Sequence, residues 1–163
     1  MSINTLKFIE GPYSYEVLFS KNHIKTTQII EKIRQGKINE ILNGFIRITD
    51  VGLIVEPKYL KNFANQYTYD LIFDYVDRLI NHFLVTKSNT INMYVNIQSI
   101  SFIDLEKNIS FLKNLATFFS SKYPNILNKC YLYNASILCE TLFKMMKNFI
   151  DKETLAKLQF IKE

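Results

Sequence analysis

Glycine and proline are scarce in this chain, four and three in 163 residues, and tryptophan is absent. So little glycine leaves no phosphate-binding loop and no Gly-x-Gly-x-x-Gly dinucleotide fingerprint, since both need a backbone free of side chains. There are two cysteines, Cys130 and Cys139, without Cys-x-x-Cys spacing, so neither a zinc site nor a disulfide framework is indicated. They read as buried thiols of a reducing compartment. His23 and His82 are far apart in sequence and share no metal-ligand spacing. Arginine is limited to Arg34, Arg47 and Arg78, so lysine carries almost all of the net charge of +5. Groove-reading proteins depend on the arginine fork, and no nucleic-acid partner is expected. No apolar run reaches the roughly 18 residues of a membrane span. The start, Met1-Ser-Ile-Asn-Thr-Leu-Lys, has neither a signal-peptide core nor a transit-peptide character, and the expected location is cytoplasmic.

What is present is an ordinary globular composition, 48% hydrophobic and 21% charged, in a length that fits one domain over residues 1–163. Thr5–Ile9 and Tyr15–Phe19 are β-prone runs around Gly11-Pro12 and predict a hairpin or two edge strands. Ile29, Ile30 and Ile33 predict a short helix capped by Gly36, and Ile38–Leu42 a further helical turn. Phe45–Thr49 and Leu53–Val55 flank Asp50-Val51-Gly52 as a hairpin that Pro57 ends.

The strongest period is helical, with Leu71, Ile72, Tyr75, Val76, Leu79, Ile80 and Phe83 on one face between Tyr69 and Phe83. Strict alternation follows at 91–97: Ile91, Met93, Val95 and Ile97 on one side, Asn92, Tyr94 and Asn96 on the other. With a helix on either flank this is a central strand, whose asparagines then need partners. Asp104 is the expected N-cap of the next helix, striped by Leu105, Ile109, Leu112, Ala116 and Phe119, widened by Phe111, Leu115 and Phe118, and stopped at Pro124. A strand at 130–135, an apolar helix near Ser136–Ile150 and a strand at 159–161 repeat β–α–β, which implies parallel neighbours. The fold class is α/β, a mixed sheet with parallel β–α–β units flanked by helices.

No catalytic motif is present, and the chain reads as a non-enzyme without metal or redox cofactor. Asp70, Asp74 and Asp77 share part of a helix face, which is read as solvated surface. The helix 137–150 is unusual in carrying two apolar stripes: Leu138, Leu142, Met145 and Phe149, and beside them Cys139, Phe143, Met146 and Ile150. That breadth fits deep burial or a second apolar contact, and methionine next to aromatics suits either a core or a hydrocarbon ligand.

Several residues of the same region carry a resemblance: Tyr123-Pro124, Leu127, Tyr131, Asn134-Ala135 and Phe149-Ile150-Asp151 before Thr154 and Lys157. Upstream, Tyr94-Val-Asn-Ile-Gln-Ser-Ile-Ser101 leads into the helix from Leu105. Over about residues 68–161 the chain resembles the CRAL-TRIO lipid-binding domain, including phosphatidylinositol-transfer proteins of the yeast type, while the N-terminal residues 1–67 are divergent. The resemblance implies a pocket floored by the sheet, closed by the 137–150 helix, and occupied by a lipid or other hydrophobic small molecule exchanged during transient membrane contact. By likeness Leu142, Met145, Met146 and Phe149 face that pocket, and Lys157 stands at the headgroup lysine. Asn125 replaces the acid that follows Tyr-Pro in phosphatidylinositol-transfer members, and Ser136 replaces the proline that follows Asn-Ala. Members of the family carry a helical N-terminal region and a longer C-terminal tail, neither of which is read here. That difference keeps open a rival, a protein-interaction module for a GTPase or its regulator with the pocket collapsed.

Overall fold

The computed structural model describes residues 12–19, 24–98, 100–134 and 139–161, apart from the side chains of Cys139, Glu140 and Leu142. The elements run α1 (Tyr15–Phe19), α2 (Thr26–Arg34), α3 (Ile38–Phe45), β1 (Ile46–Thr49), β2 (Gly52–Val55), α4 (Tyr69–Thr86), β3 (Ile91–Asn96), α5 (Phe102–Lys107), α6 (Ile109–Lys122), β4 (Leu127–Tyr133), α7 (Cys139–Met146), α8 (Lys152–Leu155) and β5 (Leu158–Ile161). The five strands lie in sequence order, β1 antiparallel to β2 and all later neighbours parallel. This is the expected mixed α/β sheet.

The hairpin at Asp50-Val51 forms with Thr49 opposite Gly52. Gly52 has φ +141, and a Cβ there would run into the Asn92 carbonyl, so glycine permits β2 to close on β3. Gly36, at φ +71, ends α2 as expected: its N–H donates to Ile33 and that of Lys37 to Lys32, a Schellman pair.

Two expectations for the N-terminal region are overturned. Tyr15–Phe19 is helical rather than a strand, and Thr5–Ile9 lies outside the described residues. The β-prone run is overridden by packing: Phe19 is fully buried against Tyr15 and Tyr133, with ring centroids 5.1 and 5.3 Å away. With α2 and α3, the region before β1 is helical, contrary to the reading that such a region is missing.

Ile72, Val76, Ile80 and Phe83 form the buried stripe of α4. Leu71 is 38% exposed and Leu79 only half-buried, so the stripe is narrower than periodicity alone implies. Asp104 is not the cap of α5; Ser101 is, its hydroxyl accepting from the Asp104 N–H at 3.2 Å while the Asp104 carboxylate accepts from the Ser101 N–H at 2.8 Å. This capping box moves the helix start three residues upstream. Asn108 then separates α5 from α6. The helix expected to run to Ile150 is α-helical only over Cys139–Met146 and continues as turns, while residues 136–138 lie outside the described residues.

Alternation divides the sheet into two faces. Leu53, Val55, Ile91, Met93, Val95, Cys130, Leu132, Leu158 and Phe160 face α4, α6 and α7. Ile54, Tyr94, Tyr131, Tyr133 and Ile161 face α1. The asparagines have their partners: Asn92 accepts from Asn128 at 2.9 Å, and Asn96 donates to the Tyr15 hydroxyl at 3.2 Å and accepts from Asn134 at 3.2 Å. No helix among the described residues is long and apolar enough to cross a membrane.

The packing of α4 can be tested at two positions on its buried and exposed sides. Ile72→Ala is expected to lower unfolding free energy by about 2–5 kcal/mol and Leu71→Ala by much less; equal urea midpoint shifts would contradict the assignment of the buried stripe. Asp77 ties α4 to the end of α6, bonded to the Lys122 ammonium at 2.8 Å and to the Tyr123 hydroxyl. Those bonds, that of Lys122 first, hold its carboxyl below the ordinary aspartate value. A depressed folded-state pKa contributes stability above the unfolded value that disappears as pH falls through the folded one. Asp77→Asn should therefore cost most at neutral pH, the penalty fading below the ordinary aspartate pKa of about 3.9. Denaturant titrations at both ends of that range read it, and a pH-independent penalty would refute it.

Candidate functional site

Helix α6 holds one fully buried residue, Phe111, whereas Leu112, Leu115, Ala116 and Phe119 are only half-buried. They are half-buried because they face an opening. A cavity of about 390 Å³ lies between the helical face of the sheet, α6, the Tyr123–Ile126 turn and the segment from Met146 to Lys157. Its floor is Leu53, Ile91, Met93, Leu127, Cys130 and Leu158, one or two residues from each of β2 to β5. The volume lies in the range of about 300–1,000 Å³ usual for small-molecule sites.

The turn that forms one wall is written in its sequence. In Tyr123-Pro124-Asn125-Ile126, proline takes the first central position and Asn125, at φ +61, the second, closed by the Ile126 N–H on the Tyr123 carbonyl at 3.4 Å. That is the residue pattern of a type II turn, in which asparagine tolerates the left-handed backbone. The opposite rim begins at Asp151, which caps α8 by accepting from the Thr154 N–H at 2.7 Å and from its hydroxyl at 2.8 Å. These bonds depress the Asp151 pKa, and its carboxylate is committed to the cap. Asn125, Glu153 and Lys157 also line the cavity, and their side chains have no hydrogen-bond or ion-pair partner among the described residues. Cys130 on the floor is buried in apolar surroundings that push its thiol up to about 12, an unreactive sulfhydryl.

Of the six residues expected at a ligand site, Met146, Phe149, Asn125 and Lys157 line the cavity. Asn125 and Lys157, 32 positions apart in sequence, are thus brought to one space. Met145 is not among the lining residues; like Met146, it packs against the cluster of Ile97, Leu105, Cys130 and Leu132. The side chain of Leu142 lies outside those described. Sequence reasoning missed the α6 wall and Met93. The signal was available in the breadth of the α6 stripe, which Leu115 widens beyond what one sheet contact needs.

A second cavity of about 200 Å³ adjoins the first on the same face, under α4, α5 and α6, and reaches Ile46 and Val55. Its two charged residues, Lys61 and Asp104, pair with each other at 3.2 Å. The other sheet face is covered by α1. Its polar centre is Glu56, 1% exposed, held by Arg47 at 2.9 Å and Lys58 at 3.8 Å and accepting from Asn96 at 3.4 Å. Arg47 also donates to the Leu18 carbonyl at 3.0 Å. A buried charge so fully partnered fastens α1 to the sheet.

No curated protein sequence matches this chain. Among solved structures, that of Sfh5, a yeast Sec14-like protein, matches with a TM-score of 0.57 at 15% identity, covering 96% of this chain and 64% of that one. The chain thus spans under two thirds of the length of that structure, and at this identity the likeness shows the fold. It extends over the helical N-terminal region as well as the sheet. In sequence, the family model for the CRAL/TRIO domain matches residues 53–163, beginning at β2, upstream of the segment that carries the resemblance in sequence. A five-stranded, mostly parallel sheet with an apolar cavity under its crossover helices, and a family match over two thirds of its length, together place this chain in the CRAL/TRIO family.

Proposed function

We propose that the protein binds a lipid or other small hydrophobic molecule in the larger cavity, with α7 and the turns after it as the cover and transient membrane contact as the route of exchange. The observation that carries this is the cavity itself: an apolar space floored by β2 to β5, with three polar side chains in its lining that have no partner among the described residues. Membership of a family that is generally non-catalytic and lipid-binding supports the same class of ligand. On this reading residues 1–163 act as one domain. Met146 and Phe149 contact hydrocarbon, and Lys157 and Asn125 contact the polar end. Lys157 then serves as a general phosphate or carboxylate contact, since Asn125 supplies hydrogen bonds but no charge to orient it. The interaction-module rival requires a filled interior, and the open cavity favours the ligand-binding reading over it.

Mass spectrometry of an organic extract of the purified protein is the direct test, and a hydrophobic molecule in stoichiometric amount is the expected result. Met146→Asp should weaken retention of an apolar fluorescent ligand at least tenfold, because a carboxylate against an apolar wall costs well over the roughly 1.4 kcal/mol that a factor of ten represents. Both methionines pack on the same apolar cluster, so the unfolding midpoint is measured alongside: Met145→Asp, outside the cavity lining, should lower it without a matching loss of retention, whereas Met146→Asp should lose retention beyond any loss of stability. An empty extract together with no uptake by the wild-type protein would sink the ligand-binding reading and leave the interaction module.

A further inference from the structure

The two cavities share some of their walls. Met93, Leu112, Leu115 and Phe119 line both, and of these Met93 alone stands on the sheet. The larger cavity runs from Leu158 on β5 across β4 and Met93 on β3 to Leu53 on β2. The smaller continues past Val95 on β3 and Val55 on β2 to Ile46 on β1. With neighbouring strands about 4.8 Å apart, the first span is roughly 14 Å and the joined one roughly 19 Å. Asn125, Glu153 and Lys157, whose side chains have no partner among the described residues, line the larger cavity only, while the charges of the smaller one pair with each other. One polar region and a long apolar run fit an extended hydrocarbon chain with a single polar head.

Resting on the ligand-binding reading above, we propose that Met93 is the stop that sets how long a chain the site accepts. The head of a single-chain amphiphile lies by Lys157 and Asn125, the tail crosses the sheet face, and its end meets the Met93 side chain at the boundary with the second chamber. Methionine suits that post because it is unbranched, with three rotatable bonds, and can fill or vacate a gap. Val95, next on the same face, is β-branched and confined at χ1. Turning Met93 aside joins the chambers and lengthens the run by one strand.

The test is displacement of bound anilinonaphthalene sulfonate by saturated fatty acids from octanoate to eicosanoate. While the tail has room, each added methylene should improve affinity about fourfold, and the gain should stop at the length that reaches Met93. Met93→Ala should carry the gain to longer chains and Met93→Phe should end it sooner, with the shortest acids binding all three proteins alike. Phe119→Leu, which opens the same boundary from α6, should act like Met93→Ala and replaces it if that variant unfolds. A plateau at one chain length in every variant, or an equal change at all lengths, would overturn the role of Met93 while leaving ligand binding intact. Failure of the wild-type protein to take up both dye and fatty acid would overturn both.

Discussion

Strand order constrains everything else in this molecule. Four parallel strands taken in sequence, each joined to the next by a crossover of the usual hand, send every crossover helix to the same side of the sheet. One face therefore receives α4, α6 and α7, and the other receives only what the N-terminal region supplies. On the crowded face the helices do not seat equally. Helix α4 lays four residues flat on the sheet, whereas α6 commits one and holds the rest of its apolar row off the floor. The cavity is the space left by that difference.

The opposite face solves another problem. Tyr94, Tyr131 and Tyr133 project from β3 and β4, with the rings of Tyr94 and Tyr131 stacked at 5.2 Å. Burial raises the pKa of the Tyr94 and Tyr131 hydroxyls. Covering such a surface takes an element that is apolar towards the rings and able to partner a buried hydroxyl, and Tyr13–Phe19 does both. Leu18 and Phe19 pack on the aromatic layer, the Tyr13 carbonyl accepts from the Tyr133 hydroxyl, and the Tyr15 hydroxyl donates to Gln98 at 2.7 Å.

The regions of the fold legible in the sequence were those whose period is set by a regular surface. Ile91 to Ile97 alternates because each side meets a different layer, and Ile72, Val76, Ile80 and Phe83 repeat because α4 lies flat. The hairpin showed through Asp50-Val51-Gly52, where the backbone demand is local. What stayed hidden depended on partners distant in the chain. Tyr-Glu-Val-Leu-Phe has the composition of a strand, and only its contacts with Tyr133 and Arg47 make it a helix. The burial of Glu56 likewise comes from Arg47 and Asn96 and leaves no trace in its own neighbourhood. At the cavity, Asn125, Met145, Met146, Phe149 and Lys157 are reached through resemblance rather than spacing, and likeness does not distinguish Met145, outside the lining, from Met146 within it, because neighbours on one helix edge meet different spaces. Met93 read as an ordinary core residue, since an apolar floor and an apolar core have the same alternation.

The bond between the Tyr133 hydroxyl and the Tyr13 carbonyl joins positions 120 residues apart. Such a span looks as though it should be hard to hold closed. Chain statistics argue otherwise: closure entropy grows only with the logarithm of loop length, so a ring a quarter as long would lower the cost by only about 1.2 kcal/mol. Ordering the five helical residues of α1 is the larger demand, at about 1–2 kcal/mol per residue for the backbone. The hold of the N-terminal segment on the tyrosine face is therefore governed by how few residues must be ordered and how well each is buried, and hardly at all by the length of chain between the two tyrosines.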